Sequence, residues 1–296
     1  MNWIIENFPM PASFNTMGED IEAIKTRSLA HGQDISVLEQ MFNCIDLTSL
    51  NSTDSSFSIS DFVEKVNLFE KSYPQLKNVA AICVYPVFSP VLKSVLRAKN
   101  VRKAVVSGGF PSSQTFTDIK REETKKALAF GADEIDVVIS IGEFLEGNYE
   151  FVSEELMGIK EVMGTAHLKV IIESGALHNS EDVWVASMLA MQSGADFIKT
   201  STGKLPVGAT PEAAYVMCTA IQHFYKKTGK KIGFKPAGGV STIEEALVYY
   251  QIVSEVLGSA WLNNHLFRIG ASRLANSLLS KILELKGITS DKANFF

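Results

Sequence analysis

From about residue 42 to residue 270, short runs of apolar and β-branched residues alternate with longer stretches whose apolar positions recur every three or four residues. The runs with strand character lie at 43–47, 79–85, 102–107, 134–139, 168–173, 197–200, 231–235 and 267–269. Each is followed by a segment of helical periodicity, the pattern of repeated strand–helix units around a parallel sheet. Eight such units predict an α/β fold, a (β/α)8 TIM barrel whose strand C-terminal ends form the mouth. Gly131-Ala132-Asp133 and Gly194-Ala195-Asp196 each close a helical stretch and lead into a strand. Glycine is there the usual left-handed helix cap. The two copies read as an echo of the barrel unit, because no Pro-, Gly- or Ser-rich linker divides the chain.

Helical patterns around 18–29 and 35–42 precede the first strand. We expect residues 1–41 to form an N-terminal helical extension covering the bottom of the barrel, residues 42–286 to form the barrel, and residues 287–296 to form a tail. The tail is polar up to Phe295 and Phe296 and is expected to be mobile unless that pair docks. A chain of 296 residues suits this division, since single barrels occupy about 200–250 residues before extensions.

A formal charge of −5 argues against a nucleic-acid partner, which would need clustered Lys and Arg. No run of about 18 apolar residues is present, and the start has no basic segment followed by a long apolar one. No membrane partner is expected, and cytoplasmic residence follows by exclusion. Cys44, Cys83 and Cys218 form no C-x-x-C pair, so neither a disulfide framework nor a zinc knuckle is indicated. Cys44 and Cys218 read as small buried hydrophobes. The five histidines, His31, His167, His178, His223 and His265, show no metal-ligand spacing.

Lysines inside apolar strand patterns carry the most information, because lysine is rarely buried without a partner or a task. Two occur, Lys199 ending Phe197-Ile198-Lys199 and Lys235 ending Gly233-Phe234-Lys235. On consecutive strands both reach the mouth, where they would be neighbours. Two ammonium groups in a poorly solvated interior disfavour protonation of at least one of them. A neutral amine is a nucleophile, and this is a recognised route to a Schiff-base lysine. The pair is nearly symmetric, so these residues alone do not say which lysine attacks and which perturbs. Asp136, a carboxylate within Glu134-Ile135-Asp136-Val137-Val138, can serve as a proton relay or as a buried structural partner of the same lysines. Glu173, at the end of the fifth run, is open to either reading as well.

A phosphate site is suggested by Thr202, Gly203 and Lys204, by Gly238 and Gly239 after the seventh run, and by Gly270 and Ser272 after the eighth. Barrels commonly hold phosphate on such loops with helix N-termini behind them.

These stretches, together with Ala81-Ile82-Cys83-Val84-Tyr85-Pro86 and Lys169-Val170-Ile171-Ile172-Glu173, resemble the deoxyribose-phosphate aldolases in unbroken order from about Asp46 to Ser272. The resemblance implies reversible cleavage of 2-deoxy-D-ribose 5-phosphate to acetaldehyde and D-glyceraldehyde 3-phosphate, within deoxyribose phosphate catabolism. No metal or other cofactor is implied, and the partners are small phosphosugars and aldehydes, with a homodimer as the assembly to expect. Lys199 matches the Schiff-base lysine, Lys235 the second lysine that depresses its pKa, and Asp136 the relay carboxylate. Cys83 matches a cysteine near the site, and Asp46 and Thr48 match a polar pair near the sugar hydroxyl.

Three positions depart from that pattern. Arg273 stands where a second serine is common, Gly109 stands where asparagine is common, and Phe296 stands where some members end in a tyrosine. A phenyl ring cannot relay a proton. Two rivals remain at this point: another lysine-dependent barrel lyase, and a phosphosugar-binding protein without turnover.

Overall fold

In the computed structural model, which describes residues 6–11, 14, 16–288 and 295–296, eight strands alternate with helices. They are β1 Ile45–Thr48, β2 Ala81–Val84, β3 Arg102–Ser107, β4 Glu134–Val138, β5 His167–Ile171, β6 Phe197–Lys199, β7 Gly233–Lys235 and β8 Ile269–Ala271. Each pairs in parallel with its neighbour, and β8 pairs with β1. The seam between β7 and β8 is closed by the bridges Phe234–Phe267 and Ala237–Gly270. Across it the Gly270 amide donates to the Pro236 carbonyl at 2.9 Å. The result is a TIM barrel. The eighth strand lies later than its apolar run suggested, because Gly270 and Ala271 lack strand character yet complete the ladder to Asp46 and Leu47.

Local sequence explains the joints. Asp34, Ser55, Thr210 and Thr242 accept hydrogen bonds from first-turn amides of the helices they open, which satisfies donors that a helix start leaves unpaired. Gly131 and Gly194 sit at φ of 89° and 98°, where a side chain would be strained. The aspartates that follow do equivalent work. Asp133 accepts the Lys103 amide at 2.9 Å, and Asp196 accepts the Leu168 amide at 2.8 Å. Each carboxylate thereby ties the start of its strand to the preceding strand, so the Gly-Ala-Asp echo is a repeated fastening at the barrel bottom.

The main apolar core lies between the strands' outer faces and the surrounding helices. Inside the barrel a second, smaller cluster gathers Ala81, Cys83, Ala104 and Val106 from β2 and β3 with Leu50. These short side chains leave interior room for long ones from the opposite strands. No helix among the described residues is long and apolar enough to cross a membrane.

The N-terminal helices divide their tasks, which corrects the expectation that both lie under the barrel. Ile35–Asn43 runs into β1 beside the last helix, Arg273–Leu285. Met17–Ser28 instead lies on the flank, against Pro211–Thr228 and Ile243–Val256. It buries Ile21 and Ile24, and Arg27 grips Glu255 with two hydrogen bonds of 2.7 Å. At the other terminus the aromatic pair docks. Asn276 accepts the amides of Phe295 and Phe296 at 2.9 and 3.0 Å, and the Phe296 ring stacks on Phe69. Phe69 lies near the end of Ser56–Ser72, the helix that returns from the mouth. The docked rings therefore lie on the flank, between the first turn of Arg273–Leu285 and the last turn of Ser56–Ser72.

Candidate active site

β6 and β7 are in register at their last residues, so Lys199 and Lys235 are direct cross-strand partners. Asp136 lies mid-strand on β4, deeper than either lysine's backbone, and both side chains descend to it. Its Oδ2 accepts from Lys199 Nζ at 3.0 Å and from Lys235 Nζ at 2.8 Å. All three side chains are buried. Gly270 makes the approach possible, since a Cβ there would fall 3.2 Å from Lys235 Cε and 2.8 Å from the Ala237 Cβ.

Below this trio is a second charged layer that the sequence reading missed. Lys169 pairs with Asp46 at 2.7 Å, with Glu134 at 2.5 Å and with Asp136 at 3.3 Å. Arg268 pairs with Asp46 at 2.6 Å and with Glu134 at 2.8 Å. Lys235 also reaches Asp46, at 2.5 Å. The interior thus holds three lysines rather than two, and the signal was visible in Leu168-Lys169-Val170, a lysine inside an apolar run. Glu134 shares the inward face of β4 with Asp136, two residues away.

Counting partners breaks the symmetry between the two mouth lysines. Lys235 has Asp136 and Asp46, whereas Lys199 has Asp136 alone, shared with two other cations. Burial lowers the Lys199 pKa and the neighbouring Lys235 ammonium lowers it further, against the pull of Asp136. For Lys235, burial acts in the same direction but Asp136 and Asp46 outweigh it, so its pKa is raised. Burial would raise Asp136, yet Lys169, Lys235 and Lys199 hold it well below the usual carboxylate range. With four cations facing three carboxylates in a dry interior, the group with the weakest claim on a carboxylate gives up its proton most readily. That group is Lys199.

Lys199 is also the member of the trio that opens onto a cavity of about 230 Å³ at the mouth. Thr202, Gly203 and Lys204 after β6, Gly238 and Gly239 after β7, Gly270 and Ser272 at β8 and Thr48 on β1 line that cavity. Gly203, Gly238 and Gly239 all have positive φ, and a Cβ on Gly238 would lie 3.1 Å from the Gly203 Cα. Glycine is what lets the two loops meet. Glu173 is buried in a left-handed conformation and accepts the Thr202 amide at 3.1 Å, so it shapes the loop rather than facing the cavity. Lys204 spans the opening to donate to the Leu50 carbonyl.

Two helices start at the cavity wall and differ in a useful way. Ile243–Val256 is closed by a capping box of Thr242 and Glu245. Arg273–Leu285 has no side-chain cap at Ser272, and Arg273 itself lines the cavity. The last helix leaves its positive end available to an anion.

Two expected contacts are not at the cavity. Asp46 is fully buried and its carboxylate is saturated by Lys169, Lys235 and Arg268, so it is a partner of the charge network and not a sugar contact. Cys83 is likewise sealed beneath the mouth, and burial, with Asp136 nearby, pushes its thiol up to about 11. Thr48 does line the cavity, its hydroxyl donating to the Asp46 carbonyl at 2.8 Å.

A TIM barrel with two buried lysines on one aspartate beneath a glycine-walled cavity at its mouth has the form of a barrel enzyme acting on small molecules. Residues 41–263 match the family model described as DeoC/LacD family aldolase, and the chain belongs to that family. It is therefore an aldolase, a carbon–carbon lyase. Human deoxyribose-phosphate aldolase is 41% identical over 252 residues, covering 80% of this chain and 78% of the human protein. The mouse deoxyribose-phosphate aldolase is 40% identical with the same coverage of each. Among solved structures, the aldolase QR15 superposes with a TM-score of 0.67 at 30% identity, over 83% of this chain and 98% of that one. The tetrameric deoxyribose phosphate aldolase of Aeropyrum pernix, at 22% identity and a TM-score of 0.64 over 90% of this chain and 97% of its own, shares the fold.

Proposed function

We propose that this chain reversibly cleaves 2-deoxy-D-ribose 5-phosphate to acetaldehyde and D-glyceraldehyde 3-phosphate through a Schiff base on Lys199. The observation that carries the reading is the unequal sharing of carboxylates, which leaves Lys199 as the mouth lysine with the depressed pKa and the one open to the cavity. The names of the curated relatives supply the substrate.

In the cleavage direction the neutral Lys199 amine adds to the C1 aldehyde of the open-chain sugar, and loss of water gives an iminium ion. Asp136, with a water and Lys235, takes the C3 hydroxyl proton as the C2–C3 bond breaks. The released pair is held by the iminium as an enamine, which is protonated at C2 and hydrolysed to acetaldehyde, returning Lys199. Since Asp136 is held so far below the carboxylate range, it works as a relay toward the lysines and not as the proton's resting place. Gly203, Lys204, Gly238, Gly239, Gly270, Ser272 and the uncapped helix start at Arg273 hold the phosphate. Remote binding of that kind positions the reacting carbon. We extend the reading to cytoplasmic residence, which the three buried free thiols favour, and to a homodimer, which light scattering tests directly.

The decisive experiment is borohydride reduction in the presence of acetaldehyde, followed by peptide mass spectrometry, with coupled cleavage assays on wild type and Lys199→Ala. The label is expected on Lys199 and cleavage is expected to vanish in the variant. Label on Lys235, or no label with full activity in Lys199→Ala, would overturn the assignment.

A further inference from the structure

The bottom of a TIM barrel is where conservation and charge normally serve stability, the chemistry being at the other end. Here the bottom carries a basin of about 810 Å³, larger than the mouth cavity, between the segments that lead into β2, β3, β4 and β8. Lys77, Lys99 and Arg102 stand around it, all exposed. Arg268, the lower end of the interior charge network, forms part of its floor, its guanidinium paired inward with Asp46 and Glu134. Of the two carboxylates in its wall, Asp133 is already tied to Lys103 at 3.0 Å, leaving Glu70.

Elsewhere on this acidic chain many surface cations have found carboxylates, as in Lys25–Glu22, Arg27–Glu255, Arg97–Glu64 and Arg121–Glu161. Among the described residues Lys77, Lys99 and Arg102 form no ion pair. Three cations against the single carboxylate of Glu70, around a concave, polar floor, raise the local potential more than the same charges on a convex face would. Their geometry suits phosphate, which takes a forked guanidinium together with compact ammonium charges. The Asn264 side chain adds a neutral amide at the rim.

We propose that this underside basin is a second, non-catalytic site for a small phosphorylated anion, bound by Lys77, Lys99 and Arg102 over the Arg268 floor. The proposal stands apart from the chemistry at the mouth, and its test reads binding alone. The test is calorimetric titration with pyrophosphate at fixed ionic strength. The starting protein is the variant Lys204→Ala, Arg273→Ala, in which the mouth has lost its two cations. This protein is expected to bind one pyrophosphate at the underside. Adding Lys99→Glu and Arg102→Glu should weaken that binding at least about tenfold, and the neutral pair Lys99→Gln and Arg102→Gln should give an intermediate loss with an unchanged circular dichroism spectrum. The proposal is overturned if the mouth variant binds no pyrophosphate, or if charge reversal at Lys99 and Arg102 leaves the dissociation constant where it was.

Discussion

The two layers of charge inside the barrel use the same residue types and reach opposite results. In the lower layer two cations, Lys169 and Arg268, meet two carboxylates, Asp46 and Glu134, each contacted from both sides. In the upper layer two ammonium groups, Lys199 and Lys235, share one carboxylate, Asp136. Burial penalises every one of these charges. Where the count balances, the penalty is offset and the groups are locked in their charged forms, as the raised Lys169 and lowered Asp46 and Glu134 indicate. Where it does not balance, the surplus cation can shed the penalty only by losing its proton. In the proposed reaction the balanced layer is the scaffold and the unbalanced one the reagent, and the two are joined by the Lys235–Asp46 contact.

The largest effect that would break this contrast comes from the balanced layer. Glu134→Gln leaves Arg268 and Lys169 buried with one carboxylate fewer, and removing one partner of a buried pair costs about 3–5 kcal/mol. Chemical denaturation should show that loss. The pH dependence carries a further sign. Because the folded pKa values of Asp46, Glu134 and Asp136 are depressed, the unfolded chain binds more protons below the ordinary values of 3.8 and 4.5, so their stabilisation is full above those values and is lost progressively beneath them as pH falls through the lower folded values. Glu134→Gln should flatten that acid-side slope. A variant as stable as wild type would show that the lower layer is not the scaffold.

Next comes the unbalanced layer. Lys235→Met keeps the length of the side chain and removes the second-largest depressor of Lys199, leaving burial against the attraction of Asp136. On the proposed Schiff-base route activity depends on the neutral amine, so in the wild type the acidic limb of kcat/KM is expected below the ordinary lysine value of 10.5. In the variant the limb should move to higher pH, with kcat/KM lower by about 100-fold near neutrality and partial recovery on raising the pH. A merely structural role for Lys235 would lower the rate without moving the limb.

The upper layer was legible in the sequence because its lysines end apolar strands and its aspartate interrupts one. The lower layer was legible only in part. Lys169 and Arg268 each stand between apolar residues, as the mouth lysines do, but Glu134 opens its strand, where charged residues ordinarily meet water, and only barrel closure shows that the three share one interior layer. Asp46 shows the same limit: its three partners come from β5, β7 and the segment before β8, a convergence that no single stretch of sequence contains. The fold itself was legible because each strand is short, apolar and bounded by caps. The position of Met17–Ser28 was not, since an amphipathic helix announces that it packs but not against what.

The smallest effect concerns the docked C-terminal pair and tests whether it stays out of the chemistry. Phe296 carries no hydroxyl, and its ring lies 5.7 Å from Phe69 and 6.1 Å from Phe42, in the apolar core outside the strands. Its amide is held by Asn276, in the first turn of Arg273–Leu285. Phe296→Ala should therefore cost about 1–2 kcal/mol of stability, the loss expected for a half-buried ring, and leave kcat unchanged. Phe296→Tyr should leave kcat unchanged too, because a hydroxyl added beside Phe42 and Phe69 lies in the core outside the strands and not at the mouth cavity. A gain in turnover from that hydroxyl would mean that the tail leaves this dock and reaches the mouth.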